Sequence, residues 1–225
     1  MNSIINKTTL SPPPFCEKEI LRYAGCRQSN DEITSLIKSA ISKARQLLEY
    51  KVCYKELPVT VTGDICDFSE FQVKSEKLAA NLRECETVIL LAATVGIKID
   101  RLIARYSVTS PALAHILDAL GTERIEALCD AFCSRQEIER GCGLKPRFSP
   151  GYGDLSLQTQ KAIFKSLVDK FGCDPAAMKQ AGIAYATDQI IDLYANGITN
   201  VHVYSMNKPD VAEKIQSNLS DILGK

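Results

Sequence analysis

Apolar positions along the chain recur at one of two spacings, about 3.6 residues or two, and each switch between them marks a change of element. The opening residues 1–15 are polar and broken by prolines, and read as a flexible arm. In 16-CEKEILRYAGCR-27, Ile20, Leu21 and Tyr23 predict one short amphipathic helix that ends at Gly25. A longer helix is predicted in 30-NDEITSLIKSAISKARQLLEY-50. Asn30 or Asp31 caps its start, and Ile33, Leu36, Ile37, Ile41, Ala44, Leu47 and Leu48 form its apolar stripe. Over 51–68 the spacing drops to two: Val59 and Val61 alternate with Thr60 and Thr62, a strand signal with Gly63-Asp64 as the turn. A helix over 75–85 then leads to 87-TVILLAATVG-96, a strand apolar on both faces and therefore expected at the centre of its sheet.

From Ile97 to about Arg140 the pattern is helical, broken near 107-SVTSP-111, where Ser110 is placed to cap a helix opened by Pro111. Gly121, inside that second helix, costs roughly 1 kcal/mol relative to alanine and predicts a kink or a close contact. The loop 141–156 separates it from a helix over 157–171. Beyond that, a helix over 174–197, a strand 199-TNVHVYSMN-207 and a helix over 209–224 make an αβα unit. Helices and strands mix without regular βαβ repeats before residue 174, so the predicted class is α+β. The expected organisation is an arm (1–15), a main body (16–172) and an αβα appendage (173–225).

Composition narrows the function. A chain of 225 residues, 45% of them hydrophobic, fills an ordinary core. Its 27 basic residues balance 27 acidic ones, which argues against nucleic acid or an anionic membrane surface as main partner. The longest apolar run, Val88 to Val95, is too short to span a bilayer, and residues 1–15 carry three consecutive prolines in place of an apolar signal region. A cytoplasmic location is therefore expected. The cysteines number 9, an odd count with no CxxC pair, and read as free thiols rather than a disulfide framework or a zinc site. No metal ligand and no acid, base or nucleophile of a catalytic triad is assigned.

Chemistry concentrates in 147-RFSPGYGDLSLQTQKAIF-164. Gly151 and Gly153 allow positive φ and close backbone approach, Pro150 stiffens the turn, and exposed amides there suit a carboxylate or the polar edge of a purine. Arg147 offers a planar fork for a carboxylate, and Tyr152 offers a ring for stacking. A ligand with a carboxylate and an aromatic base matches this inventory. A rigid turn with Arg147 in a surface ion pair matches it too.

Arg147, Ser149, Pro150, Gly151 and Tyr152, with GDLSLQTQKAIF after them, resemble the S-adenosylmethionine-binding loop of the activation domain of cobalamin-dependent methionine synthase, above all its stand-alone forms. The resemblance extends to 19-EILRYAGCR-27, 88-VILLAATVG-96 and 117-LDALGTERIEALCDAF-132, spanning about residues 15–165. It implies that Arg147 contacts the carboxylate of S-adenosylmethionine, that backbone groups at Ser149 and Gly151 hold the ligand, and that Tyr152 lies against it. It also implies that a helical glutamate, Glu126, meets the amino end, with Asp130 one turn later as the alternative. Acidic residues four apart on a helix otherwise read as a solvated face.

The implied role is repair. Cob(II)alamin on the cobalamin-binding module of methionine synthase is reduced by a flavodoxin or ferredoxin type protein and methylated by S-adenosylmethionine. The cofactor carries the chemistry and the domain supplies position. By contrast, 167-LVDKFGCDPAAMKQAGIAYATDQIIDLYANGITNVHVYSMNKPDVAEKI-215 resembles the C-terminal end of methylenetetrahydrofolate reductase, around HVYSMNKP. That resemblance matches Met206, Asn207 and Lys208 to residues lining a folate and cofactor site. A (β/α)₈ barrel cannot close on one strand, so no function is assigned to them. Three functions are weighed: an activation protein, a reductase fragment with residual flavin or folate affinity, and an inactive hybrid acting as an interaction module.

Overall fold

The computed structural model of the chain describes residues 4–26, 28, 30–168, 183, 186, 187, 189–191, 193 and 209–223. Two compact units divide between Leu167 and Val168, not at 172/173. The class is α+β, as the mixed periodicities predicted: helices combine with two small antiparallel sheets.

The first unit is organised around strand β2 (Lys51–Pro58), which pairs with β1 (Asn6–Thr9) on one side and β6 (Thr87–Thr94) on the other. Because side chains alternate across a strand, β2 serves two layers at once. Val52 and Tyr54 face a large core together with their partners Ala93 and Leu91. Leu57 and its partner Val88 face a second, smaller core. The large core is covered by α1 (Glu17–Tyr23), α2 (Asp31–Ala44), α4 (Lys98–Thr109) and α5 (Pro111–Arg140). The smaller core is built from the hairpin sheet β3 (Thr60–Thr62), β4 (Ile65–Asp67) and β5 (Gln72–Lys74), together with α3 (Glu76–Leu82).

This layering corrects one expectation. The sheet order is β1-β2-β6, so the apolar strand 87–94 lies beside a single described strand, and β2 is central. Its two apolar faces arise because a core lies on each side of the sheet.

A second correction concerns the segment read as a flexible arm. Asn6–Thr9 is a strand in register with Lys51–Tyr54. Residues 13–16 are clamped by α5: Arg124 donates through Nη1 to the Pro13 carbonyl at 2.6 Å and through Nη2 to that of Pro14 at 2.7 Å. Its guanidinium stacks 4.1 Å from the Phe15 ring centroid, and the Cys16 amide donates to Glu123 Oε1 at 3.1 Å. Arg124 and Glu123, both buried, also pair directly.

Other local signals hold. The Asn30 side chain accepts from the Ile33 amide at 2.8 Å and caps its helix as expected; the Ser75 hydroxyl, not singled out from the sequence, accepts from the Leu78 amide at 3.0 Å and caps α3. Ser110 precedes Pro111 as expected, but its side chain makes no cap bond. Gly121 lies within the continuous helix α5, where an added Cβ would meet Ile99 Cγ1 at an ordinary 3.7 Å.

Helix α6 (Thr159–Val168) follows the loop after α5. Within the first unit it is tied down by a partly buried network: Ser166 Oγ donates to Glu70 Oε2 at 2.6 Å, and the buried Lys55 pairs with the other oxygen of Glu70.

In the second unit, Ile183, Ala186, Thr187, Gln189, Ile190, Ile191 and Leu193 have helical backbone, and α7 spans Pro209–Leu223. Ile183, Ile190 and Ile215 form its core, with Ala186, Val211 and Leu219 against it. Asn218 Nδ2 donates to Thr187 Oγ1 at 3.5 Å. The strand expected over 199–207, with Met206, Asn207 and Lys208, lies outside the described residues, as do most positions of the helix expected over 174–197. Among the described residues no helix is long and apolar enough to cross a membrane.

Candidate functional site

Helix α5 carries two stripes of different chemistry. Leu120, Arg124, Leu128, Phe132 and Gln136 recur every fourth residue and are buried. Glu126, Asp130, Cys133 and Glu137 recur at spacings of four, three and four, and form a separate polar stripe. The helix ends where Gly141 adopts the left-handed conformation (φ 66°) and its amide donates to the Glu137 carbonyl. Beyond that cap the chain returns along the polar stripe. The Leu144 amide donates to Glu137 Oε1 at 2.9 Å, and Arg147 reaches the two carboxylates farther up the helix.

Arg147 is the hub. Its Nη1 donates to Asp130 Oδ1 at 2.5 Å and, more weakly, to Cys133 Sγ at 3.9 Å, while its Nη2 donates to Glu126 Oε2 at 2.8 Å. Partial burial works against the charge, but the bonds to Asp130, Cys133 and Glu126 outweigh it and raise the guanidinium above its ordinary value. One cation thus faces two anions. The group is open, with side-chain exposures of 30% for Arg147, 49% for Glu126 and 69% for Asp130. Nearby, burial pushes the Cys129 thiol up to about 11, so it stays protonated at neutral pH.

The loop beyond Arg147 is held at three points. Asn81 Nδ2 on α3 donates to the Pro146 carbonyl at 2.9 Å, and Phe148 and Leu155 pack into the smaller core. Asp154 caps α3: it accepts from Ser75 Oγ at 2.5 Å and from the Glu76 amide at 2.7 Å, with longer contacts to the Lys77 amide at 3.4 Å. The Ser75 hydroxyl first, with the amides of Glu76 and Lys77 adding, holds the Asp154 carboxyl below its ordinary range.

Between these anchors runs the glycine turn. Gly151 (φ 89°) and Gly153 (φ 64°) have the positive φ that the sequence predicted, a region side chains with a Cβ rarely occupy. The Gly151 amide donates to the Leu155 carbonyl at 2.8 Å and the Tyr152 amide to the Ser149 carbonyl at 3.0 Å. Backbone groups at Ser149 and Gly151 were expected to hold a ligand; in the structure the Gly151 amide and the Ser149 carbonyl close the turn on itself. Tyr152 projects outward, 66% exposed, its ring edge-on to Phe148 at 5.3 Å between centroids.

Of the residues singled out from the sequence, Arg147 and Glu126 are brought into direct contact, and Ser149, Gly151 and Tyr152 form the turn four residues wide beside them. Asp130, weighed as the alternative to Glu126, makes the shorter bond, so both acids belong to one cluster. Two contributions were missed. Cys133 followed from the helical spacing of the polar stripe, whereas the capping role of Asp154 depends on a partner 79 residues away, which no local pattern reveals.

Comparison with known proteins gives a family match and a structural one. The family pattern of methylenetetrahydrofolate reductase (MTHFR) matches residues 157–220. Among solved structures, a crystal structure of the MetH Reactivation Domain bound to AdoHcy is similar, with a TM-score of 0.48 and 15% identity, over 73% of this chain and 70% of that one. No curated protein matches the chain. The reductase match begins before the boundary between the compact units, so α6, bonded through Ser166 to Glu70 of the first unit, falls inside it.

Proposed function

We propose that the chain binds S-adenosylmethionine and supports reductive methylation of cob(II)alamin on the cobalamin-binding module of methionine synthase. One observation carries this reading: Arg147 of the Arg-Phe-Ser-Pro-Gly-Tyr loop lies against Glu126 and Asp130 in a cluster that solvent reaches. S-adenosylmethionine carries a carboxylate, an ammonium and a sulfonium. Its carboxylate takes the Arg147 fork in exchange for an internal carboxylate, and its positive groups take the acids that are released. The exposed Tyr152 ring offers a face to the adenine. Ser149 and Gly151 act by shaping the turn.

The chain supplies position and charge, not a proton or a nucleophile. Cobalamin on the partner is the methyl acceptor. One electron from a flavodoxin or ferredoxin type protein reduces it, its electron pair forms the new bond to the methyl carbon, and the carbon–sulfur bond breaks with its pair left on sulfur. Calorimetric titration with S-adenosylmethionine tests the binding, with saturable one-to-one heat as the expected result. Absence of heat together with unchanged thermal stability in ligand excess would sink the proposal.

The reductase match at residues 157–220 supports a second reading, residual flavin or folate affinity. The chain presents one predicted barrel strand, so purified protein is expected to be colourless. A stoichiometric flavin spectrum would favour the second reading.

A further inference from the structure

We infer that Asp130 is a specificity-determining residue of this site, distinguishing the sulfonium methyl donor from the neutral thioether left after methyl transfer. This rests on the proposed function and adds a selectivity to it. The argument begins from charge. Arg147 is shared by two carboxylates, at 2.5 and 2.8 Å, so the cluster holds one more negative than positive group. A zwitterionic amino-acid end is itself balanced, since its carboxylate takes the guanidinium and its ammonium takes one acid. One carboxylate is then left without a cation. S-adenosylmethionine brings a second positive charge on sulfur, and S-adenosylhomocysteine does not.

Spacing supports the assignment. Residues four apart on a helix place their Cβ atoms about 5–6 Å from each other. In the ligand, three carbons separate the amino nitrogen from the sulfur, so two acids at that spacing span both positive centres. Exposure decides which acid takes which. The methyl group must face outward, toward an acceptor on another protein, so the carboxylate beside the sulfur is the more exposed one. That is Asp130, at 69% against 49% for Glu126. Glu126, more covered and on the other nitrogen of Arg147, takes the ammonium. The consequence is product release: once the methyl leaves, the attraction at Asp130 disappears while every other contact stays.

The test is a calorimetric titration of S-adenosylmethionine and S-adenosylhomocysteine against wild type, Asp130→Asn and Glu126→Gln, with thermal midpoints as a check on folding. Wild type should prefer the sulfonium about fivefold, the scale of one ion pair at an exposed site, and the preference should shrink as salt is added. Asp130→Asn should bring the ratio near one by weakening the sulfonium alone. Glu126→Gln should weaken both ligands together and leave the ratio intact. Equal wild-type affinities, or a preference that survives Asp130→Asn, would overturn the selectivity while leaving the function standing. If neither ligand binds, both fall.

Discussion

Two arginines on or against helix α5 both bond side-chain carboxylates, in very different surroundings. Arg124 is buried. It bonds Glu123 and the carbonyls of Pro13 and Pro14, and stacks on Phe15. Arg147 bonds two side-chain carboxylates and keeps 30% of its side chain exposed. Bond count does not separate them, but the replaceability of the acceptors does. The carbonyls at 13 and 14 cannot leave without unpairing the start of the chain from α5, and Glu123 has no water to turn to. Asp130 and Glu126 can each rotate into solvent and give up a guanidinium nitrogen at small cost. A structural arginine is one whose partners are trapped, and a binding arginine is one whose partners have an alternative.

Arg124→Ala would break the structural side of this contrast most severely. It leaves Glu123 buried without a cation and two carbonyls without donors, and should destabilise the fold by roughly 3 to 5 kcal/mol in a denaturant titration. Arg124→Lys should recover only part, because an ammonium cannot present a fork to two carbonyls and a carboxylate at once. Wild-type stability in Arg124→Ala would mean that the residues before Cys16 are held by β1 alone.

The binding side is tested by Arg147→Ala. It should lose about 1.5 to 3 kcal/mol of S-adenosylmethionine binding, roughly tenfold to a hundredfold in affinity, with little change in thermal midpoint. The reverse pattern, unchanged affinity with a lowered midpoint, would place Arg147 with Arg124 as a brace.

Asp154 sharpens the comparison through pH. Its folded pKa is lowered by Ser75 first and then by the amides of Glu76 and Lys77. The sign follows: its stabilisation is present above the unfolded value, about 3.9, and is lost as pH falls through the folded value. Asp154→Asn should therefore lower the midpoint at neutral pH and make the midpoint fall less steeply below about pH 4. Differential scanning calorimetry across that range checks it, and parallel acid profiles for the two proteins would refute it.

The smallest effect belongs to Glu19→Gln. Arg22 donates to this glutamate from Nε at 2.8 Å, but both side chains are largely in water. Geometry comparable to that of Arg147 should here give no measurable change in midpoint, because exposed pairs exchange freely with solvent.

Much of this could be read in the residues. Asn30 and Gly25 announced helix ends through chemistry local to each end. The alternation at Val59 and Val61 announced a strand. Arg124 carried a readable sign as well: it recurs every fourth residue with Leu120, Leu128 and Phe132, which places a charge inside an apolar stripe. What the sequence withheld was long-range. Nothing near Pro13 or Pro14 indicates that their carbonyls meet a guanidinium 111 and 110 residues away, so a segment without periodicity read as an arm. The central position assigned to 87–94 failed for a related reason. Two apolar faces report that both sides of a strand are covered, and are silent on how many strands flank it.

Asp154 has a kinetic consequence. A loop whose carboxylate caps a helix and whose Phe148 and Leu155 sit in a core is ordered before any ligand arrives. Under the proposed function, binding would pay no entropy for assembling the turn and would exchange only a carboxylate on the guanidinium. Association should therefore be a single encounter step: in stopped-flow mixing the observed rate should rise linearly with S-adenosylmethionine concentration. In Asp154→Asn, where the turn is released from α3, the rate should bend toward a plateau set by the loop's own reordering.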